Sequence, residues 1–282
     1  MNFYRTYFSE NPMMVEITRF RRRFLGGNSL NTIILALTVL IYIGIVALVW
    51  SYRDAANPLL LIMLQTFIFT LLGPAMLYGS IAGERERRSW DFLLVAPVSQ
   101  GQIVVGKFMG AASAILVCAI AFLLPILIGT VSYESYTWGS GYGTSLRSDL
   151  WQVFKGELIS ISWGLLVCAV TIFFSARCRR GFIALGTVLA LFLCALIIWP
   201  ILLASSMRYN SGSDFLLFYH PFMALARLEP TRIRLQDPFQ VAFGWPQIFS
   251  YFLLSGVFLF WTEKTLRFAD TEVKFLPKQR DA

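Results

Sequence analysis

The chain has few charged residues for its length. Aspartate, glutamate, lysine and arginine make up 14% of its 282 residues, against about 25% in average soluble proteins. These side chains are too few to cover a globule of this size, which excludes a soluble globular protein. Several apolar runs reach the ~20 residues that a helix needs to cross a bilayer. The composition therefore predicts an integral membrane protein.

Residues for metal and hydrolytic chemistry are also scarce. His220 is the only histidine, so no second imidazole can share a metal ion, and no G-x-S-x-G motif occurs. The cysteines lie within apolar runs or beside arginines, which predicts packing residues instead of a disulfide framework; they are Cys118, Cys168, Cys178 and Cys194. We expect no metal, no cofactor and no enzymatic activity in this chain alone.

A segment resembling a phosphate-binding loop begins at Gly101 and ends at Gly106-Lys107. Phe108 occupies the place of the Ser or Thr that would hold magnesium, and no strand precedes the segment. We therefore expect no ATP binding here. The pattern instead predicts the start of a membrane helix, with Lys107 extending its ammonium group to the interface.

Six apolar runs predict an all-α membrane protein that forms a single domain over residues 1–282. The predicted spans are residues 31–50, 58–82, 103–130, 157–176, 182–204 and 247–261. The two long connections, 131–156 and 205–246, are predicted to lie outside. Lys107 and Glu157 fall at the ends of spans, so no ionisable group is expected within a span. This absence argues against a transporter driven by ions.

The orientation follows from the distribution of lysine and arginine. With the N-terminus inside, the inner segments hold 17 of these residues and the outer segments hold 7. Positive charge accumulates on the cytoplasmic side of membrane proteins. Both termini are therefore predicted to be cytoplasmic. Because the excess charge is spread over every inner connection, nucleic acid is excluded as a partner.

Residues 11–24 predict an amphipathic helix that lies in the membrane interface. Asn11 can cap it and Pro12 suits its first position. Apolar residues recur at helical spacing and arginines fill the second half, as in helices that contact anionic lipid; these are Met13, Ile17, Phe20 and Phe24, with Arg19, Arg21, Arg22 and Arg23. The alternative is a flexible basic leader.

The segment between the second and third spans is the most charge-dense part of the interior of the chain. A short helix over about residues 84–96 is predicted, with Ser89 as a possible cap and Pro97 as its end. Ser99 and Gln102 have the spacing of a capping box that opens the next helix. The segment could be a basic loop that sets topology, a helix on lipid, or a docking surface. Its large apolar side chains favour docking; they are Trp90, Phe92, Leu93 and Leu94.

These residues carry a resemblance to a known family. Glu84-Arg85-Glu86, Leu93-Leu94, Pro97-Val98-Ser99 and Gly106-Lys107 together resemble the signature of the type 2 export permeases of ATP-binding-cassette transporters. The helix over residues 11–24 is similar to the connecting helix of that family. His220-Pro221-Phe222 resembles its polar-Pro-Phe element after the fifth span.

The resemblance implies that residues 84–96 are a coupling helix that binds a groove of a separate ATPase subunit. The implied docking residues are Glu84, Arg85, Glu86, Arg87, Arg88, Trp90, Asp91, Phe92, Leu93 and Leu94. ATP and magnesium would be bound by that partner, and a second permease chain would complete the path for outward transport across the plasma membrane. The alternative is a non-transporting channel or scaffold that binds a cytoplasmic protein through the same helix.

Overall fold

A computed structural model describes the chain at residues 11, 40, 42–51, 57–87, 90, 98–139, 146–198, 201, 219–226, 228 and 244–275. Every regular element in these ranges is a helix. The helices are α1 (Tyr42–Ser51), α2 (Pro58–Leu77), α3 (Ala82–Glu86), α4 (Gln100–Gly139), α5 (Leu146–Arg177), α6 (Gly181–Leu193), α7 (Pro221–Ala226) and α8 (Trp245–Phe275). A π-helical turn, Cys194–Ile198, continues α6. The predicted all-helical fold is confirmed for these ranges.

Four segments of the described chain are long and apolar enough to cross a membrane. They are Pro58–Glu86, Gln100–Val131, Leu150–Arg177 and Gly181–Ile198. They correspond to the second to fifth predicted spans. The first predicted span is described only from residue 40 onward, and the sixth lies within α8, which is not among the four segments. A count of six spans stays a prediction, as does the interfacial helix, of which the structure describes only Asn11.

Local sequence signals set where two of the helices begin. The Asn57 side chain accepts a hydrogen bond from the backbone of Leu59, and Pro58 occupies the first position of α2. The predicted capping box is confirmed at α4: the Gln102 amide donates to the Ser99 hydroxyl over 3.2 Å, and the Ser99 amide donates to the Gln102 side chain over 2.9 Å. These bonds satisfy backbone donors that a helix start leaves unpaired.

Both α4 and α5 extend beyond the spans predicted for them. α4 continues to Gly139 and α5 begins at Leu146, so both helices enter the range 131–156 that was interpreted as an outer connection. Polar residues in that range end an apolar run without ending a helix. Glu157 is consequently the twelfth residue of α5. It does not lie at the end of a helix.

Helices α2 and α5 run parallel. The contacts between them advance together along both helices: Gln65 with Glu157, Thr70 with Trp163, and Tyr78 with Ser175. α4 runs the opposite way, because Lys107 near its start bonds to Ser80 beyond the end of α2. α8 is parallel to α5, since the ring of Tyr251 packs on Trp163 and that of Phe258 packs on Phe173. Successive membrane crossings require this alternation.

Small residues bring α2 and α5 close together. A Cβ atom added at Gly156 would lie 3.1 Å from Ile62, and one added at Gly164 would lie 3.1 Å from Phe69. One added at Gly73 would lie 2.8 Å from Val167. Gly156 and Gly164 are eight residues apart and therefore share one face of α5. Small residues on facing helices permit close backbone approach within membranes. We call this α5 face, residues 156, 160 and 164, the small-residue stripe.

We expect Gly164→Leu to destabilise the bundle. A Cβ atom at this position already lies 3.1 Å from Phe69 and 3.2 Å from Ile115, so a larger side chain must displace both helices. Overpacking of this kind costs about 1 to 3 kcal/mol, and sometimes more. The measurement is thermal unfolding of the detergent-solubilised chain. Gly186→Leu is the matched control, because nothing lies within 4 Å of a Cβ atom there. Equal melting temperatures for the two variants would contradict the close packing.

His220 joins the start of α7 to the end of α6. Its Nδ1 accepts a hydrogen bond from the Met223 amide over 3.4 Å, and its Nε2 lies 3.3 Å from the carbonyl oxygen of Leu196. Leu196 lies in the π-helical turn, which Pro200 follows, and Pro200 has no N–H to donate to a carbonyl of that turn. A neutral ring with its proton on Nε2 satisfies both neighbours. His220 therefore connects these two helices.

The bonding of His220 predicts a pH dependence of stability. Burial lowers the pKa of His220, and the hydrogen bond to Leu196 opposes this effect. The unfolded chain then binds the proton more readily than the folded chain, so stability is full above about pH 6.5 and declines as the pH falls below that value. We expect the melting temperature to fall between pH 7.5 and 5.5. In His220→Gln, which keeps a donor and an acceptor, the fall should be smaller; an unchanged fall would contradict the assignment.

Candidate functional site

The turn before α3 is held by one hydroxyl group of α5. The Ser175 hydroxyl accepts hydrogen bonds from the backbone amides of Ile81 and Ala82, each over 3.1 Å, and donates to the Tyr78 carbonyl over 2.9 Å. Two of these groups are the donors that a helix start leaves unpaired. Ser175 thus fixes the position of α3 relative to α5. Sequence reasoning missed Ser175 because it lies more than 90 positions from each of the residues that it bonds.

A buried ion pair attaches α3 to α4. The Lys107 ammonium lies 2.6 Å from Glu84 Oε1 and donates to the Ser80 carbonyl over 2.7 Å. The Lys107 side chain is 6% exposed and that of Glu84 is 29% exposed. The Lys107 ammonium is therefore bonded within the chain, and its position relative to the membrane interface stays a prediction. Glu84, an implied docking residue, forms a charge-assisted bond within the chain, with Lys107 as its partner.

Arg85 and Trp90 turn inward at the same end of the bundle. The Arg85 guanidinium donates to the Ala176 carbonyl at the end of α5 and lies 5.4 Å above the Trp90 ring. A cation is favourable at a helix C-terminus and above an aromatic face. Trp90 is 6% exposed and belongs to one buried cluster with Ile81 and Leu266. The resemblance implied that Trp90 is a docking residue; its ring packs within this chain.

Exposed charges remain on the outer side of α3. Glu86 and Arg87 are exposed. α3 packs against α5 and α6. Three exposed arginines lie at the junction of α5 and α6: Arg177, Arg179 and Arg180. We call these five residues the charged surface. Four arginines and one glutamate make it electropositive. It suits an acidic partner, and charge complementarity of this kind governs the rate and the specificity of association.

Several predicted site residues lie outside the described residues. They are Arg88, Asp91, Phe92, Leu93 and Leu94 of the coupling segment, with Met13, Ile17, Arg19, Phe20, Arg21, Arg22, Arg23 and Phe24 of the interfacial helix. Their roles stay predictions. In the described part of the chain, no group of three or more His, Cys, Asp or Glu side chains could hold a metal ion.

The alternating apolar helices define a multi-pass membrane protein, with a short charged helix bonded to the ends of its spans. Residues 62–263 match the family described as ABC-2 family transporter protein, and the chain belongs to that family. It is also 28% identical over 145 residues to the probable ABC transporter permease protein NosY of Stutzerimonas stutzeri. That match covers 45% of this chain and 52% of the relative, so it spans about half the length of the relative. The resemblance to these permeases is confirmed.

Proposed function

We propose that this chain is the permease subunit of an exporter, moving a substrate outward with ATP hydrolysed by a separate ATPase subunit. The family supports the proposal, and one observation carries it. α3 is bonded to α4 through Glu84 and Lys107, and to the end of α5 through Arg85 and Ser175. A partner that displaces α3 would therefore displace several spans together.

The ATPase partner would bind the charged surface and the coupling segment that follows α3. Glu86 and Arg87 are exposed there and available for contact. Phe92, Leu93 and Leu94 would supply the apolar part of the interface, since buried apolar anchors dominate binding energy more than rim charges do. ATP and magnesium would be held entirely by the partner. A second permease chain, identical or related, would complete the transport path.

The α3 end of the bundle is proposed to face the cytoplasm, with the chain in the plasma membrane. The Asn11 side chain donates to the Gln102 carbonyl near the start of α4, and Leu266 of α8 shares a buried cluster with Trp90. Segments near both termini thus lie at this end of the bundle. The excess of lysine and arginine in these segments supports a cytoplasmic position.

The test begins with a search of the neighbouring genes for an ATPase that carries a phosphate-binding loop, which is then co-expressed and co-purified with this chain. Arg87→Glu should reduce the recovered ATPase about tenfold, because it reverses an exposed charge of the charged surface. A tenfold change corresponds to ~1.4 kcal/mol of binding free energy. Arg208→Glu is the control, since it reverses the same charge in a predicted outer connection. Equal recovery with both variants would contradict docking at α3.

Transport is tested separately, in vesicles that contain the complex. ATP added on the side of the ATPase should drive movement of a candidate substrate away from that side. A complex that forms, hydrolyses ATP and moves none of the candidate substrates would favour the scaffold interpretation over the exporter.

A further inference from the structure

Glu157 lies inside the helical bundle. Its side chain belongs to the apolar segment Leu150–Arg177 and is 8% exposed. The sequence placed Glu157 at the end of a span, whereas the apolar segment begins seven residues before it. An ionisable side chain at such a place is expensive and usually functional.

One bond joins Glu157 to α2. The Gln65 side-chain amide donates to Glu157 Oε1 over 2.7 Å. The other Glu157 oxygen and the Gln65 amide oxygen are buried, and neither has a hydrogen-bond partner among the described residues. A buried carboxylate oxygen without a partner costs several kcal/mol in folding free energy.

Ser160 adds a third oxygen atom. Ser160 is fully buried and lies on the small-residue stripe, one turn beyond Glu157. Along α5 it lies between Gly156, which is close to Ile62, and Gly164, which is close to Phe69. Other buried hydroxyls of these two helices have a carbonyl acceptor. Those of Thr66, Thr70 and Thr171 donate to the carbonyl four residues earlier, that of Ser162 donates to Ile159, and that of Ser175 donates to Tyr78. The Ser160 hydroxyl has no partner in the described part of the chain.

Among the described residues, no positively charged side chain is bonded to these three oxygen atoms. Only the Ser160 hydroxyl carries a proton of its own, so two buried acceptors compete for one donor. α2 and α7 contain no charged residue, and α4 has none between Lys107 and Glu134. Lys155 lies elsewhere on α5, 5.6 Å above the Trp151 ring and beside Gly244. Hard oxygen donors of this kind suit a proton or an alkali ion better than a soft metal.

We propose that Glu157, Gln65 and Ser160 form an internal site between α2 and α5 that binds one monovalent cation, taken up as a proton or as an alkali metal ion. The site is separate from the charged surface. Gln65 precedes Leu77, the last residue of α2, by 12 residues, which is about 18 Å of helix at 1.5 Å per residue. The proposal therefore concerns the bundle interior and does not depend on the ATPase contact.

The first test measures thermal unfolding of the full chain at constant ionic strength, in sodium chloride and in N-methylglucamine chloride. The His220→Gln background removes the opposing pH effect. A cation that binds only the folded chain raises the melting temperature. We expect a rise with sodium if the site takes an alkali ion, and a rise as the pH falls without sodium if it takes a proton.

The comparison of variants locates the effect. Glu157→Gln, which keeps the size of the side chain, should lose the cation-dependent shift completely. Glu86→Gln makes the same chemical change at an exposed position and should keep it. A shift that persists in Glu157→Gln, or an absence of any sodium or pH dependence in the parent, would overturn the proposal.

A second measurement leaves the chain unaltered. Dicyclohexylcarbodiimide reacts with protonated carboxyl groups in apolar surroundings, the carboxyl O–H adding across one C=N bond of the reagent. Peptide mass spectrometry should find Glu157 modified. Protection by sodium identifies an alkali site, and modification that is insensitive to sodium but rises as the pH falls identifies a proton site. If Glu157 remains unmodified across the pH range, the proposal is wrong.

Discussion

Trp90→Ala is expected to cost about 3 to 5 kcal/mol of folding stability, the range measured when a buried tryptophan or phenylalanine is truncated. The Trp90 ring is buried with Ile81 and Leu266, and the Arg85 guanidinium lies above it. The loss should lower the melting temperature by on the order of 10 °C in a chain of this size. It should also release the coupling segment from the bundle and weaken ATP-driven transport.

The decisive measurement uses the permease without its partner. If Trp90 served mainly as an anchor for the ATPase, Trp90→Ala would leave the melting temperature of the free permease unchanged. Trp50→Ala is the matched control, because the Trp50 side chain is largely exposed. We expect that variant to shift stability by about 0.5 kcal/mol or less.

Glu84→Ala is expected to cost about 3 kcal/mol, because it leaves the Lys107 ammonium buried without its carboxylate partner. Breaking a buried pair by removing one member costs about 3 to 5 kcal/mol, and the partial exposure of Glu84 favours the lower end of this range. Glu86→Ala removes an exposed carboxylate two residues further along α3. That control should change stability by less than about 0.5 kcal/mol.

Removing both partners separates stability from coupling. In the double variant Glu84→Ala with Lys107→Met no charge is left buried, so most of the lost stability should return. The bond between α3 and α4 is nevertheless absent, and ATP-driven transport should stay low. Thermal unfolding and vesicle transport of Glu84→Ala, Glu86→Ala and the double variant test this expectation. Full transport in the double variant would show that the ion pair only stabilises the chain.

Local features of this fold could be predicted from sequence. The start of α4 at Ser99 and Gln102 depends on side chains three residues apart, and the start of α2 depends on Asn57 and Pro58. The apolar runs located four of the membrane segments because hydropathy is summed over adjacent residues. The charged segment around Glu84 was identified because its charged residues are neighbours in the sequence.

Contacts between distant residues could not be predicted. Ser175 lies 94 positions from Ile81, and nothing local distinguishes it from other helical serines. A lysine at the start of an apolar run usually indicates the interface, and only the fold reveals that Lys107 meets Glu84 and the Ser80 carbonyl. Glu157 was placed at a helix end because hydropathy falls there, although α5 continues through the polar residues that precede it.

The glycine contacts between α2 and α5 restrict how the bundle can rearrange. At Gly73 and Gly164 the backbone of one helix lies directly against a side chain of the other, Val167 and Phe69 respectively, so sliding one helix along the other would force backbone against these side chains. Shear motion between packed helices needs side chains that can adjust, and these two helices should instead move as one rigid body. Conformational change would then occur at their contacts with the other helices. The distance between Gln65 and Glu157 would be the same in every state of a transport cycle, so such a cycle could alter only the access of an ion to this site.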